Sequence, residues 1–140
     1  MRAVIIVGLA LTVLIASGIA LGGSAPKEEA AVAAAQMWLT TVDKGKYAES
    51  WQEAAAYFKE AINQRRWGQS LQAVRKPLGQ MVTRKVESAA YKTSLPGAPD
   101  GEYVVIRFET SFENKKSAIE TVTPKLEKDG KWRVSGYYIK

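Results

Sequence analysis

Apolar and polar positions along this chain follow two different periods, and the change between them falls at Gly79. Before it, apolar residues recur every three or four positions, as on one face of a helix. In PKEEAAVAAAQMWLTTVDKG, Ala31, Ala34, Ala35, Trp38 and Val42 share a face. Pro26 suits a first turn, Glu28 and Glu29 complement the positive end of the helix dipole, and Gly45 supplies the stop. KYAESWQEAAAYF puts Tyr47, Trp51, Ala54, Ala55 and Phe58 on a second stripe. INQRRWGQSLQAVRKPLG puts Trp67, Leu71 and Val74 on a third, ended by Pro77 and Gly79. The spacing predicts three short amphipathic helices.

After Gly79 the period is two. QMVTRKVESAAYK sets Val82, Arg84 and Val86 against Met81, Thr83, Lys85 and Glu87, and SLPGAPDG reads as a loop. EYVVIRFETSFE is the clearest strand: Val104, Ile106, Phe108, Thr110 and Phe112 point one way, Tyr103, Arg107 and Glu109 the other. NKK turns the chain into SAIETVTPKLE, where Pro124 marks an edge or a bulge near the strand's end. Asp129-Gly130 predicts a type I′ hairpin turn. The last strand, WRVSGYYIK, sets Trp132, Val134, Gly136 and Tyr138 on the face expected to meet the helices, with Arg133, Ser135, Tyr137 and Ile139 facing away. Helices followed by four strands on short turns predict an α+β fold, with N-terminal helices packed on one face of a curved four-stranded antiparallel sheet.

The first residues differ in kind. MRAVIIVGLALTVLIASGIALGG places Arg2 before an apolar run from Ala3 to Leu21, the layout of a signal peptide or an N-terminal membrane anchor. Gly8, Thr12, Ser17 and Gly18 dilute the run and favour cleavage, while its length approaches that of a bilayer span. Residues 1–25 are therefore assigned to this leader and 26–140 to a single α+β domain. Either fate of the leader places the domain outside the cytoplasm, periplasmic or secreted, with membrane contact expected only through residues 1–22 if they are kept.

Composition removes several chemistries. Without cysteine there is no disulfide framework, lipidated cysteine or thiolate nucleophile; without histidine there is no Ser-His-Asp or Cys-His catalysis and no usual zinc or copper ligand set. The acidic residues are scattered rather than gathered in a calcium loop, and no Gly-rich phosphate cradle is present. No metal and no cofactor is expected. The net charge of +6 reads as solubility or as attraction to an anionic envelope surface or polymer, and export argues against nucleic acid as partner.

Four groups of residues carry what candidate chemistry remains. Glu120 shares a face with Ala118 and Val122, so it is the one strand carboxylate expected to point inward, where a proton-transfer base would sit. Arg107 and Glu109 lie opposite the apolar row and read as a solvated cross-strand set. Tyr103, Arg107, Arg133 and Tyr137 are expected on the outer face as a protein-contact spot, suited to a second copy or another envelope protein. Arg65, Arg66, Arg75, Lys76, Arg84 and Lys85 form three basic pairs that make one patch if the fold brings them together, and otherwise serve solubility.

MWLTTVDKGKYAESW, AVRKPLG, SLPGAPDGEYVVIRFETSFENKKSAIETVTP and LEKDGKWRVSGYYIK together resemble the exported bacterial proteins of domain-of-unknown-function family four-zero-one-nine, over about Ala30 to Lys140. That family has no assigned activity. By pattern, the resemblance implies the cone-shaped fold shared by nuclear transport factor two, ketosteroid isomerase and polyketide-cyclase-like proteins, which also end in a G-x-W hairpin, here Gly130-Lys131-Trp132. Two functions stand at this point: a non-catalytic binding or assembly module of the cell envelope, and a small cofactor-free isomerase- or cyclase-like enzyme using Glu120 and a cavity tyrosine.

Overall fold

A computed structural model describes residues 25–140, and the leader expectation lies outside them. Four helices, α1 (Ala25–Asp43), α2 (Tyr47–Gln52), α3 (Ala56–Ala61) and α4 (Gln64–Leu78), precede four strands, β1 (Met81–Lys92), β2 (Tyr103–Phe112), β3 (Lys115–Leu126) and β4 (Trp132–Ile139). The strands form one antiparallel sheet in the order β1-β2-β3-β4. The α+β class with a helix-covered antiparallel sheet is thus as the pattern predicts. Among the described residues, no helix is long and apolar enough to cross a membrane.

The helix faces follow the periodicity closely. Ala31, Ala35, Trp38, Leu39 and Val42 of α1 and Trp67, Leu71 and Val74 of α4 are buried against the inner row Val104, Ile106, Phe108 and Phe112 of β2. Asn63 caps α4 by accepting from the Arg66 amide at 2.9 Å. The second predicted helix is split in two. Its middle is pulled extended at Ala55, whose amide donates to the Val134 carbonyl of β4 at 2.8 Å, and the Glu127 carboxylate accepts from the next amide, Ala56.

Four register shifts interrupt the sheet, one of them beside the β2–β3 turn between Thr110 and Phe112, and the three on β1 and β4 decide which side chains face the helices. Extra residues at Val82 and Glu87 shift the phase of β1, so Met81, Arg84, Ala89 and Tyr91 oppose the inner residues Phe112, Thr110, Ile106 and Val104 of β2, while Val82 stands exposed. On β4, three residues from Val134 to Tyr137 span two on β3, from Pro124 to Val122. The simple alternation read from WRVSGYYIK therefore fails beyond Val134. Tyr137 and Ile139 turn inward and are buried, correcting their assignment to the outer face. Pro124 sits at this bulge in an internal strand, which resolves the choice between edge and bulge. The Asp129-Gly130 turn is not type I′: Gly130 alone has positive φ, and Asp129 instead accepts from the Lys131 amide at 3.1 Å through its side chain.

The β2–β3 hairpin tip locks onto the end of α4. The Asn114 amide donates to the Leu78 carbonyl at 2.9 Å and its Nδ2 to the Pro77 carbonyl at 3.0 Å. Gly79 passes beneath with φ 74 and ψ −162, and a Cβ there would lie 2.9 Å from Glu113 Cβ. Gly79→Ala is therefore expected to cost about 1–3 kcal/mol in urea unfolding, from forbidden backbone geometry and the hairpin clash together. Deleting Tyr137 through Lys140 removes two core residues and the end of β4 that pairs Glu120 through Val122 of β3, and should abolish the cooperative melt; an unchanged transition in calorimetry would refute the inward placement of the terminal strand.

Candidate functional site

A row of polar side chains crosses the inner face of the sheet diagonally, where an apolar core would be expected. Arg84 on β1 lies opposite Thr110 on β2, Thr110 opposite Ala118 on β3, and Glu120 two residues further along β3, beside β4. The small side chain of Ala118 leaves room for Arg84 to reach across. Arg84 Nε donates to Glu120 Oε1 at 2.7 Å, Thr110 Oγ1 donates to the same oxygen at 2.6 Å, and the Tyr137 hydroxyl donates to Oε2. Glu120 is wholly excluded from solvent. Its inward orientation is thus as the sequence indicates, and each of its oxygens is already engaged.

The helices close the other side of the network. Asp43, the last residue of α1, holds Arg84 in a two-point pair, Nη1 to Oδ2 at 2.7 Å and Nη2 to Oδ1 at 3.0 Å. Arg75, in the last turn of α4, donates Nη2 to Asp43 Oδ1 at 2.7 Å and lies 4.8 Å over the Phe112 ring. Two carboxylates and two guanidiniums meet here, Arg75 and Glu120 buried and Asp43 and Arg84 partly so, and their opposite charges are paired. Burial alone would raise the Asp43 carboxyl, and the hydrogen bonds and charges of Arg84 and Arg75 more than offset it, holding it below its ordinary value. Burial likewise works against the charge on Arg84, and its bonds to Asp43 and Glu120 restore it and raise it further. Burial first, then the Glu120 charge, pushes the Tyr137 hydroxyl well above its usual range, so it stays protonated and donates.

Tyr137 also joins this network to an aromatic cluster. Its ring meets Trp38 edge-on at 5.3 Å and Trp67 at 6.4 Å, and Phe58 meets Trp67 edge-on at 4.7 Å. Both indoles are satisfied by one residue: Trp38 Nε1 donates to the Ser50 carbonyl at 2.8 Å and Trp67 Nε1 to Ser50 Oγ at 2.9 Å. These rings pack in the core between the helices and the sheet. Of three open clefts of about 420, 380 and 600 Å³, the first is lined in part by Arg84 and Thr110 and the second by Asp43 and Arg75, while none is lined by Glu120 or Tyr137.

The other candidates fall in separate places. Tyr103 is on the outer face as expected, but Leu95 and Ala98 of the preceding loop cover it, and its hydroxyl donates to the Pro99 carbonyl at 2.6 Å. Arg133 shares its cross-strand row through Lys125 and pairs with Asp129 at 2.8 Å. Arg107 pairs with Glu87 on the outer face. Tyr137 is on the opposite side of the sheet, so the expected outer contact spot loses one of its four members. The six basic residues do not form one patch either. Arg65 and Arg66 are exposed at the start of α4, Lys76 and Lys85 are exposed near its end, and Arg75 and Arg84 are drawn inside by Asp43 and Glu120.

Asp43, Thr110 and Ser50 were not singled out from the sequence as site residues. Asp43 had one legible signal: an acid at a helix C-terminus opposes the dipole and implies a strong cationic partner. Thr110 and Ser50 had none, because their roles depend on strand register and on the fold of the helices.

The sequence signature described as "Protein of unknown function (DUF4019)" matches residues 34–137. The chain belongs to this family. Neither a curated protein nor a solved structure matches it. The family span runs from α1 to Tyr137 and so contains Asp43, Arg75, Arg84, Thr110, Glu120 and Tyr137.

Removing one charge from the network should cost more than removing a pair. Arg84→Met leaves Glu120 and half of Asp43 without a cation and is expected to destabilise by about 3–5 kcal/mol in urea unfolding, while Arg84→Met with Glu120→Leu regains part of that loss. The pH dependence follows from the depressed Asp43 value. Its contribution is present above the ordinary value of 3.8 and is lost as pH falls through the lower folded value. Asp43→Asn should therefore flatten stability against pH below about pH 5 relative to the parent, as read by thermal melts across that range.

Proposed function

We propose that this protein is a non-catalytic binding or assembly module of the cell envelope. The observation that carries the reading is the state of Glu120. A general base needs a free lone pair facing a space that admits substrate. Arg84, Thr110 and Tyr137 take three of the roughly four lone-pair sites of Glu120, the carboxylate is wholly excluded from solvent, and the Tyr137 ring beside it packs on Trp38 and Trp67. The ketosteroid-isomerase pattern uses a tyrosine and a carboxylic acid as donors to a ligand oxygen beside a separate base. Here the tyrosine donates to the carboxylate itself, so both groups are spent on each other. The network ties β1, β3 and β4 to α1 and α4, and its chemistry is that of a structural clamp.

Helices followed by an antiparallel meander support kinship with the cone-shaped superfamily, and kinship of fold does not bring the activity with it. The leader-like first residues support an exported location. On the outer sheet face the loop before β2 already covers Tyr103 and Val105, and the pairs Lys85–Glu109 and Arg107–Glu87 flank the half-buried Ile119, Thr121 and Tyr138.

Proton-transfer activity is the sharpest contrary outcome. The protein, incubated in deuterium oxide with a panel of cyclic ketones, is expected to give no more α-deuterium by NMR than buffer alone. Incorporation that Glu120→Gln abolishes, with the fold intact by circular dichroism, would establish the enzyme and overturn this proposal.

A further inference from the structure

The excess positive charge is gathered at one end of the molecule. α1 begins where Lys27 pairs with Glu102 and ends at Asp43, so its two ends mark opposite poles. At the Asp43 pole, Lys44 and Lys76 line one open cleft of about 380 Å³ with Gly79 and Gln80. The β2–β3 hairpin, docked on Pro77 and Leu78, brings Lys115 and Lys116 to the same end, and Lys116 shares the neighbouring cleft with Lys85. Among the described residues, Lys44, Lys76, Lys115 and Lys116 have no ion-pair partner; Lys125 and Lys128 at the other end are also unpaired, but they share a cleft with the carboxylates of Glu60, Glu127 and Asp129. Of the acids at this pole, Asp43 and Glu120 are paired with Arg75 and Arg84 and Glu109 with Lys85, while Glu113 accepts from the Gln80 amide and keeps its charge.

Two helices end here, and their carbonyls would normally repel an anion. These carbonyls are capped. The amides of Lys44, Gly45 and Lys46 bond the Thr40, Val42 and Thr41 carbonyls, while Gly79 and Asn114 cover those of Lys76, Pro77 and Leu78. The lysines therefore meet no bare helix carbonyls there, and among the described residues Glu113 is the one side-chain carboxylate at this rim without a cationic partner.

We propose that this pole docks on an anionic phospholipid surface, an assignment that rests on the binding-module reading above and adds its target. A stable protein partner needs an apolar centre to its interface. The exposed large apolar side chains among the described residues are Met37, Val82 and Val86, and of these Val82, next to the hairpin-docking segment, is the one at the pole. A charged bilayer needs no such centre, since each lysine near its surface contributes through the surface potential. The cations come from the turn after α1, the last turn of α4 and the β2–β3 hairpin, a spread that suits a flat charged surface better than a single polymer strand tracked along a groove.

The test is co-sedimentation of residues 25–140, which contain the whole hydrophobic core from Ala31 to Ile139, with vesicles of phosphatidylcholine alone or mixed with phosphatidylglycerol. Binding is expected to the mixed vesicles only, and to weaken with salt. Each lysine removed should weaken it by about fivefold, so Lys44→Glu, Lys76→Glu and Lys116→Glu together abolish measurable binding. Lys128→Glu with Lys131→Glu, at the β3–β4 hairpin, should leave it unchanged, and circular dichroism confirms that both variants fold. Equal binding to the two vesicle types, undiminished binding of the triple variant, or binding to soluble polyglutamate or heparin but not to vesicles overturns the proposal. Any of these leaves the non-catalytic reading intact, because that reading answers to Glu120-dependent turnover alone.

Discussion

The rest of the structure depends on the cancellation of charge among Asp43, Arg75, Arg84 and Glu120. Burying any one of these ions alone costs several kcal/mol, and together they sit on elements far apart in sequence. α1 supplies Asp43, α4 supplies Arg75, β1 supplies Arg84 and β3 supplies Glu120. Satisfying each charge therefore requires that all four elements be in their native places at once. Apolar packing tolerates sliding of a helix over a sheet; a two-point pair between Arg84 and Asp43, at 2.7 and 3.0 Å, does not. The network acts as a register pin between the helical layer and the sheet.

The aromatic cluster makes the same demand by a different means. Trp38 and Trp67 come from different helices, and both place their indole N–H on Ser50, which lies in α2. Tyr137 then couples the two systems, since its ring packs on both tryptophans while its hydroxyl completes Glu120. This explains why the bulge in β4 matters. Without the extra residue between Val134 and Tyr137, the tyrosine would face outward, Glu120 would lose a donor, and the space between the indoles would be empty.

Periodicity made the layers legible and bulges hid the site. The burial of Ala31, Trp38, Val42, Trp67, Leu71 and the β2 row follows directly from periods of 3.6 and 2, and Glu120 was found because β3 keeps strict alternation from Ala118 to Val122. Tyr137 was misplaced because β4 carries a bulge, and one inserted residue reverses the side on which later side chains fall. A basic pair in sequence carries no information on whether its first member is inside, so Arg84-Lys85 and Arg75-Lys76 both read as surface charge. In each pair the structure divides the two, the arginine to a buried carboxylate and the lysine to solvent. That division accords with their chemistry: a guanidinium is more weakly hydrated than an ammonium, and the planar fork of Arg84 meets Asp43 and Glu120 at once, while Arg75 donates to Asp43 through Nη2 and leaves Nε and Nη1 without a partner.

The buried network and the lysine pole are two consequences of one arrangement. Asp43 and Glu120 could have neutralised lysines at this end of the molecule; drawn inward by Arg75 and Arg84, they instead leave Lys44 and Lys76 without counter-ions at the rim. Converting these arginines to apolar residues would free carboxylates as well as break the core, so the surface field at this pole is set from within. A catalytic site keeps a charged group unsatisfied where substrate arrives. Here each interior carboxylate meets a guanidinium, Arg75 keeps Nε and Nη1 without a hydrogen-bond partner, and the lysines of the rim stand outside on flexible side chains.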